Sequence, residues 1–105
     1  MADGSEHLQF DIDEKEDLTR GRLEGELDVH TAPSLAEAME QASANGATTI
    51  VVDAAALRFC DSSGIQVLVA ARERAVEAGG SLTIEGVQGA LERVLTVTGL
   101  LDLFS

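Results

Sequence analysis

The fold of this chain is decided by a run of three β-branched residues, Ile50-Val51-Val52. Polar residues bound the run, with Thr48-Thr49 before it and Asp53 after it, as expected of a short strand covered by neighbours in the middle of a sheet. The segments on both sides carry helical patterns, so the run predicts parallel connections from strand to helix to strand. Residues 54–60 are interpreted as the loop that leaves this strand.

The first helix is predicted from Pro33 to Ala44. Pro33 fits the first helical turn, either Thr31 or Ser34 is a candidate N-cap, and Asn45-Gly46 ends the helix. Its apolar residues recur at positions i, i+3, i+4 and i+7, which places them on one face; they are Leu35, Ala38, Met39 and Ala42.

The second half of the chain continues this alternation of helices and strands. A second helix starts near Ser62 and stops at Gly79-Gly80, and 81–84 is a further strand. A third helix ends at Gly99, and 100–104 is a short apolar segment. The apolar residues expected on the buried faces of the two helices are Ile65, Leu68, Val69 and Val76, then Leu91, Val94 and Leu95.

A hairpin is predicted before the first helix. Leu8, Phe10 and Ile12 alternate with polar residues, which predicts a strand over 7–13, and the acidic cluster 13–17 is interpreted as a turn. The second strand covers 18–27, although its inward face is only weakly apolar. That face consists of Thr19, Gly21, Leu23, Gly25 and Leu27.

The element order ββαβαβα with a short tail predicts an α/β fold. We expect a mixed sheet of four or five strands, with three or more helices packed mainly on one face because strand crossovers are right-handed. A chain of 105 residues suits one domain, here 1–105, with a single modest core.

Composition and charge limit the classes of function. The formal net charge of −12 disfavours nucleic acid and anionic membranes as partners. The single cysteine, Cys60, has no intramolecular disulfide partner, and two histidines, His7 and His30, do not indicate a metal cluster. We expect neither a signal peptide nor a membrane-spanning segment, because residues 1–6 lack basic and apolar regions and no apolar run is long enough to cross a bilayer. We therefore expect a cytoplasmic monomer without metal or cofactor.

The candidate functional stretch is 59–64, Phe-Cys-Asp-Ser-Ser-Gly. It joins the central strand to the second helix, and a helix N-terminus tolerates an anionic group such as a phosphate. A simpler interpretation is that Asp61, Ser62 or Ser63 only caps the helix. Two serines before a glycine add small volume and backbone access, which suits an approaching partner; the local motif alone leaves both interpretations open.

Four segments resemble the STAS-domain anti-sigma factor antagonists of bacteria. Asp61-Ser62-Ser63-Gly64 is similar to their DSSG phosphorylation motif, and Gly25-Glu26-Leu27-Asp28 followed by Thr31-Ala32 is similar to their GELD-x-x-TA segment. Gly79-Gly80-x-Leu82 and Leu95-x-x-x-Gly99-Leu100 match the family's GG-x-L turn and TGL ending. The four segments occur in the family's order and spacing, which makes the resemblance specific.

The resemblance implies a phosphorylation switch. The unphosphorylated protein binds an anti-sigma factor that is also a serine kinase, which frees the sigma factor; the kinase then phosphorylates Ser62 with ATP and is released. A metal-dependent serine phosphatase resets the cycle. The residues expected to bind the partner are Asp28, Thr31, Asp61, Ser62, Ser63, Gly64 and Ile65, with Gly64 allowing a partner backbone to approach.

Two other classes of function are alternatives to this switch. The first is a STAS domain that acts as a non-switching scaffold subunit in a stress-signalling or lipid-transport complex; the intact DSSG motif counts against it. The second is an enzyme. A nucleophilic serine needs a base within reach, but neither histidine stands in a catalytic signature, and no phosphate-binding glycine motif is present. We therefore expect a binding protein without catalytic residues.

Overall fold

The computed structural model describes residues 8–15 and 18–104. Its strands are β1 (Leu8–Lys15), β2 (Leu18–Leu27), β3 (Thr49–Cys60) and β4 (Ser81–Glu85). Its helices are α1 (Ala32–Ala44), α2 (Ser62–Glu77) and α3 (Gly89–Val97), and a short 3₁₀ helix covers Leu101–Phe104. The α/β class and the predicted order of elements are confirmed. None of the helices in these ranges is long and apolar enough to cross a membrane.

The four strands form one mixed sheet in the order β1-β2-β3-β4. β1 and β2 are antiparallel, whereas β2, β3 and β4 run parallel to one another. The predicted hairpin is confirmed, but β1 continues to Lys15, which pairs with Leu18, so the acidic cluster contributes to the strand. His7, the predicted first residue of β1, and residues 16 and 17 lie outside the described ranges.

The alternation predicted for β2 is confirmed. Thr19, Gly21, Leu23, Gly25 and Leu27 are all buried, whereas Arg20, Arg22 and Glu24 are exposed. Most of the buried residues of α1, α2 and α3, with Phe104 of the 3₁₀ helix, belong to one core cluster with residues from all four strands. The helices therefore cover the face of the sheet that carries this cluster, and the arginine-bearing face of β2 is open.

The loop predicted over 54–60 is wrong, because β3 extends to Cys60. β2 pairs with four residues of this stretch, including Gly25 with Leu57 and Leu27 with Cys60. The register shifts twice between β2 and β3, after Arg22 and after Gly25. Such irregularities break the alternation of buried and exposed side chains, and the local run of alanines favours a helix, so the pattern of a strand is hidden.

The buried face of α2 differs in part from the prediction. Ile65 and Leu68 are buried as expected, but Val76 is 47% exposed. Ala71 and Ala75 take its place on the buried face. Alanines at these positions are easily overlooked when only large apolar residues are used to find a helix face.

The two capping residues proposed for α1 do not cap it. Thr31 occupies the N-cap position without a side-chain capping bond, and Ser34 lies inside the helix. The backbone carbonyl of Asp28 instead accepts bonds from the N–H groups of Thr31 (3.2 Å) and Ala32 (2.8 Å). The hydroxyl of Thr31 is used elsewhere in this turn.

Candidate functional site

The candidate site lies where the parallel strands β2 and β3 end side by side. Their last residues, Leu27 and Cys60, are partners in the sheet, and each strand turns directly into a helix. The N–H of Asp61 donates a hydrogen bond to the carbonyl of Leu27 (3.1 Å), which ties the two turns together. Asp28 and Asp61 each follow one of these paired residues, so the structure brings the GELD and DSSG segments to the same edge of the sheet.

Asp61 is the N-cap residue of α2. Its backbone is extended, and one carboxylate oxygen accepts hydrogen bonds from the N–H groups of Ser63 (2.9 Å) and Gly64 (3.4 Å). Its carbonyl oxygen accepts the N–H of Ile65 (3.2 Å). The capping role considered from the sequence therefore belongs to Asp61, and it satisfies amides that a helix otherwise leaves without partners.

Ser62 is the first residue of α2, and its side chain is exposed. Among the described residues, none makes a hydrogen bond with its hydroxyl. The hydroxyl stands at the positive end of a 16-residue helix, where added negative charge is best tolerated. Ser63 is half-buried beside it. Of the two serines, Ser62 presents the freer hydroxyl.

Gly64 lies in the interior and is not an open patch for a partner backbone, contrary to the role expected from the sequence. A Cβ atom at this position would lie 2.5 Å from Cγ of Leu27 and 3.0 Å from Sγ of Cys60. The missing side chain lets the first turn of α2 pack directly against the end of β2. Ile65 is only 6% exposed, so its side chain also belongs to the core.

The turn from β2 to α1 is held by Asp28 and Thr31. The carboxylate of Asp28 accepts the N–H groups of His30 (2.9 Å) and Thr31 (3.1 Å). Thr31 is 1% exposed, and its hydroxyl donates to the carbonyl of Glu26 (2.9 Å) and accepts the N–H of Asp28 (2.9 Å). Thr31 therefore shapes this turn from inside and does not present its side chain at the surface.

The environment shifts the pKa of two groups near the site. Partial desolvation opposes ionisation of Asp28, but the hydrogen bonds from His30 and Thr31 outweigh it and hold the pKa of Asp28 below its ordinary value. Burial, together with the neighbouring charge of Asp61, raises the pKa of the Cys60 thiol to about 12. Cys60 is therefore a packed residue whose thiol stays protonated at neutral pH.

Exposed apolar side chains occur near both strand ends of the site, and the sequence did not reveal all of them. Phe59 is 44% exposed just before the motif, and Val29 is 60% exposed in the neighbouring turn. A groove of about 350 Å³ runs between α1 and α2 and is lined by Val29, Val67, Ser63 and other residues of both helices. Val29 could have been noticed in the sequence as an apolar residue in an otherwise polar turn. The groove could not, because residues that are far apart in the chain line it.

Charged side chains near the site include one ion pair across the strands. Nη2 of Arg58 lies 3.5 Å from Oε2 of Glu26, so Arg58 pairs with β2 and not with Asp61. In the part of the chain that the structure describes, no group of three or more histidine, cysteine or acidic side chains is placed to hold a metal ion. The arrangement offers an exposed hydroxyl, two fixed carboxylates and an apolar border, which together suit a modifiable binding surface.

Comparison with known proteins agrees with this architecture. A family model described as "Mlab, STAS domain" matches residues 10–105. The chain is 29% identical over 97 residues to the anti-sigma-B factor antagonist of Bacillus subtilis, covering 92% of this chain and 88% of the relative. It is 32% identical over 82 residues to the anti-sigma-B factor antagonist of Staphylococcus aureus, covering 78% of this chain and 76% of that protein.

Solved structures are similar over the same range. An anti-sigma factor antagonist from Mycobacterium paratuberculosis superposes with a TM-score of 0.81 at 26% identity, covering 92% of this chain and 82% of that one. The anti-sigma factor antagonist SpoIIAA in its unphosphorylated form gives a TM-score of 0.76 at 28% identity, with coverage of 90% and 84%. With the sheet order, the DSSG turn and the matched range in agreement, this chain belongs to the STAS domain family.

Proposed function

We propose that this protein is an anti-sigma factor antagonist whose binding to its partner is switched by phosphorylation of Ser62. In the unphosphorylated form it binds an anti-sigma factor that is also an ATP-dependent serine kinase, and the sigma factor is freed. It acts as a monomer in the cytoplasm. The observation that carries the proposal is the exposed, unbonded hydroxyl of Ser62 at the start of α2, bordered by apolar surface.

The covalent cycle is balanced by ATP and water. The kinase transfers the γ-phosphoryl group of ATP to Oγ of Ser62, the hydroxyl loses its proton, and ADP leaves. A metal-dependent serine phosphatase then hydrolyses the phosphate ester, which returns the serine and inorganic phosphate. The protein itself supplies no catalytic group in this cycle; it is the substrate of both enzymes.

Electrostatics give the switch its physical cause. Phosphorylation adds about 1.5 to 2 negative charges at neutral pH. Asp61 adjoins Ser62, and Asp28 follows the partner strand at the same sheet edge. A surface that accommodates these two carboxylates does not also accommodate a phosphate dianion without new cations. Binding is therefore lost through repulsion, and refolding of the antagonist is unnecessary because the hydroxyl is already exposed.

The residues of the binding site divide into two groups by burial. Ser62 is exposed, and Asp28, Asp61 and Ser63 are partly exposed, so they contact the partner directly. Thr31, Gly64 and Ile65 are buried and act by fixing the two turns.

The exposed apolar residues Val29 and Phe59 and the α1–α2 groove extend the contact surface. Burial of these apolar side chains against a partner would remove apolar surface from water, which favours association.

The functions of similar proteins support this proposal. The two proteins from B. subtilis and S. aureus are anti-sigma-B factor antagonists, and SpoIIAA is an anti-sigma factor antagonist with an unphosphorylated form. In this chain the DSSG serine stands free of hydrogen bonds among the described residues, as a phosphate acceptor must. The same geometry supports the kinase as the partner, since the acceptor hydroxyl and the contact surface coincide.

The test is phosphorylation by the cognate anti-sigma factor kinase. With ATP and Mg²⁺, intact-mass measurement should show one added phosphate on the wild type and on Ser63→Ala, and none on Ser62→Ala. Ser62→Asp should bind the kinase at least tenfold more weakly than the wild type. Equal phosphorylation of Ser62→Ala would place the acceptor elsewhere and overturn the assignment.

The same measurements separate the switch from a non-switching scaffold. A scaffold subunit of a stress-signalling or lipid-transport complex would assemble equally well as the wild type and as Ser62→Glu. The switch predicts that Ser62→Glu loses its partner while Ser62→Ala keeps it. Size-exclusion chromatography of each variant with and without the partner reads out both outcomes.

A further inference from the structure

We propose that Asp61 keeps the phosphoryl group of phosphorylated Ser62 away from the Ser63 and Gly64 amides at the start of α2, so that the phosphate is directed to solvent. The inference rests on phosphorylation of Ser62 under the proposed function. It makes Asp61 a positioning residue: the carboxylate occupies the place at the helix end that a phosphate on the adjacent residue would otherwise take.

The hydrogen bonds of the first turn carry this inference. A phosphate near a helix N-terminus is normally held by the free N–H groups of the first turn. In α2 the N–H groups of Ser63 and Gly64 are already donated to the Asp61 carboxylate, and that of Ile65 is donated to the Asp61 carbonyl. Among the described residues of this turn, only the N–H of Ser62 itself is left without an acceptor.

The capping aspartate is also fixed in place. Its own N–H is bonded to the carbonyl of Leu27, at the end of the neighbouring strand. On the other side, Gly64 packs so closely on Leu27 that there is no room even for a Cβ atom. The turn therefore cannot rotate to offer its amides to a phosphate unless the Asp61 carboxylate leaves first or the core under Leu27 moves.

A phosphate that is excluded from the amides has two consequences for the switch. Its charge is not offset by hydrogen bonds from Ser63 and Gly64 and remains available to repel a partner surface. It is also exposed to a phosphatase, because no hydrogen bonds to Ser63 or Gly64 must be broken before hydrolysis. Asp61 thus makes the modification both effective and reversible.

The test installs phosphoserine at position 62 during protein synthesis, so that no kinase is required. The probe is the amide proton shift of Ser62, Ser63 and Gly64 in ¹H–¹⁵N spectra, compared between phosphorylated and unphosphorylated protein at a pH where the phosphate is a dianion. In the wild type, only the Ser62 amide should move far downfield. In Asp61→Ala, the Ser63 and Gly64 amides should also move, several-fold further than in the wild type.

Asp61→Asn is the matched control, because the amide oxygen of asparagine also caps a helix but carries no charge. If occupancy of the amides directs the phosphate, the Ser63 and Gly64 shifts of Asp61→Asn should resemble those of the wild type. If charge repulsion alone directs it, these shifts should resemble those of Asp61→Ala. Large shifts of Ser63 and Gly64 in the phosphorylated wild type would overturn the proposal even if Asp61→Ala did not fold. Because the phosphoserine is installed directly, a kinase that never modifies Ser62 would refute the proposed function and leave this result unaffected.

Discussion

The two strand-to-helix turns at the edge of the sheet are built on the same hydrogen-bond pattern. In each turn an aspartate directly follows the strand and accepts the N–H groups of the residues two and three positions later. Asp28 accepts those of His30 and Thr31, and Asp61 accepts those of Ser63 and Gly64. The turns differ in the position of the hydroxyl.

The position of the hydroxyl relative to the aspartate separates a structural role from an exposed one. Thr31 stands three residues after Asp28, where the chain has turned inward, and its hydroxyl is bonded in the interior. Ser62 stands one residue after Asp61, outside the two capping bonds, and its side chain is exposed. Similar chemistry in neighbouring turns thus yields one fixed hydroxyl and one that is free to be modified.

The largest expected effect concerns the close packing that only the second turn has. Gly64→Val should destabilise the protein by about 3 kcal/mol, because its Cβ would lie within 3 Å of the Leu27 side chain and force the core to move. Chemical denaturation of the variant measures the loss. Gly21→Ala is the matched control: its Cβ would meet only the tip of Ile12 at 3.2 Å, so its stability should change by less than about 1 kcal/mol.

A double variant sharpens this result. Leu27→Ala removes the atoms that the new side chain would strike, so the cost of Gly64→Val should be smaller in that background than in the wild type. Equal losses of stability in the two backgrounds would show that the contact with Leu27 does not cause the destabilisation by Gly64→Val.

The next effect compares the two hydroxyls directly. Thr31→Val should cost about 2 kcal/mol, because it removes the buried hydroxyl that accepts the N–H of Asp28 and donates to the carbonyl of Glu26. Ser62→Ala should change the free energy of unfolding by less than about 0.5 kcal/mol, because it removes an exposed group. Thermal unfolding of the two variants side by side measures the difference, and similar losses would contradict the contrast between the turns.

A smaller effect is expected from the cap of α2. Asp61→Ala should lower the stability by about 1 kcal/mol, which is typical for the loss of an N-cap side chain, whereas Asp61→Asn should retain most of it. Denaturation curves of the two variants measure this difference. If Asp61→Asn were as unstable as Asp61→Ala, the charge on the carboxylate, and not its geometry as an acceptor, would hold the turn.

The sequence predicted those strands and helices in which buried and exposed side chains repeat with one regular spacing. β2 alternates strictly, with glycines and leucines inward and charges outward, so the hairpin was recognisable in spite of its weak apolar face. The second half of β3 does not alternate, because two register shifts change which side chains face inward. No local pattern marks this half of the strand; it exists because the last four residues of β2, 24–27, pair with it.

The candidate site was predictable as two segments but not as one surface. Asp61 was recognised as one possible cap, and the resemblance to a family brought Asp28 close to Ser62. The role of Gly64 was misjudged because the sequence does not show that Leu27 lies against it. The α1–α2 groove was missed for the same reason: Val29 and Val67 become neighbours only when the two helices pack together.

The smallest expected effect is a pH dependence in the first turn. The pKa of Asp28 is lowered from an ordinary value of 3.8, so the folded protein takes up this proton less readily than the unfolded chain does. Above the ordinary pKa of the unfolded chain, the ionised carboxylate therefore contributes fully to the stability of the folded protein. This contribution is lost as the pH falls through the lower pKa of the folded state. Asp28→Asn, which has no proton to take up, should be less stable than the wild type at neutral pH, and this difference should shrink in acid.

Denaturation of both proteins from about pH 7 to about pH 3 measures this difference, and a constant gap over that range would contradict it. The buried hydroxyl of Thr31 should contribute to this pH dependence. The hydroxyl of Thr31 lies 3.3 Å from the Asp28 carboxylate and is one of the groups that lower its pKa. In a Thr31→Val background, Asp28→Asn should therefore change the free energy of unfolding in a less pH-dependent way, because the buried hydroxyl no longer stabilises the ionised carboxylate.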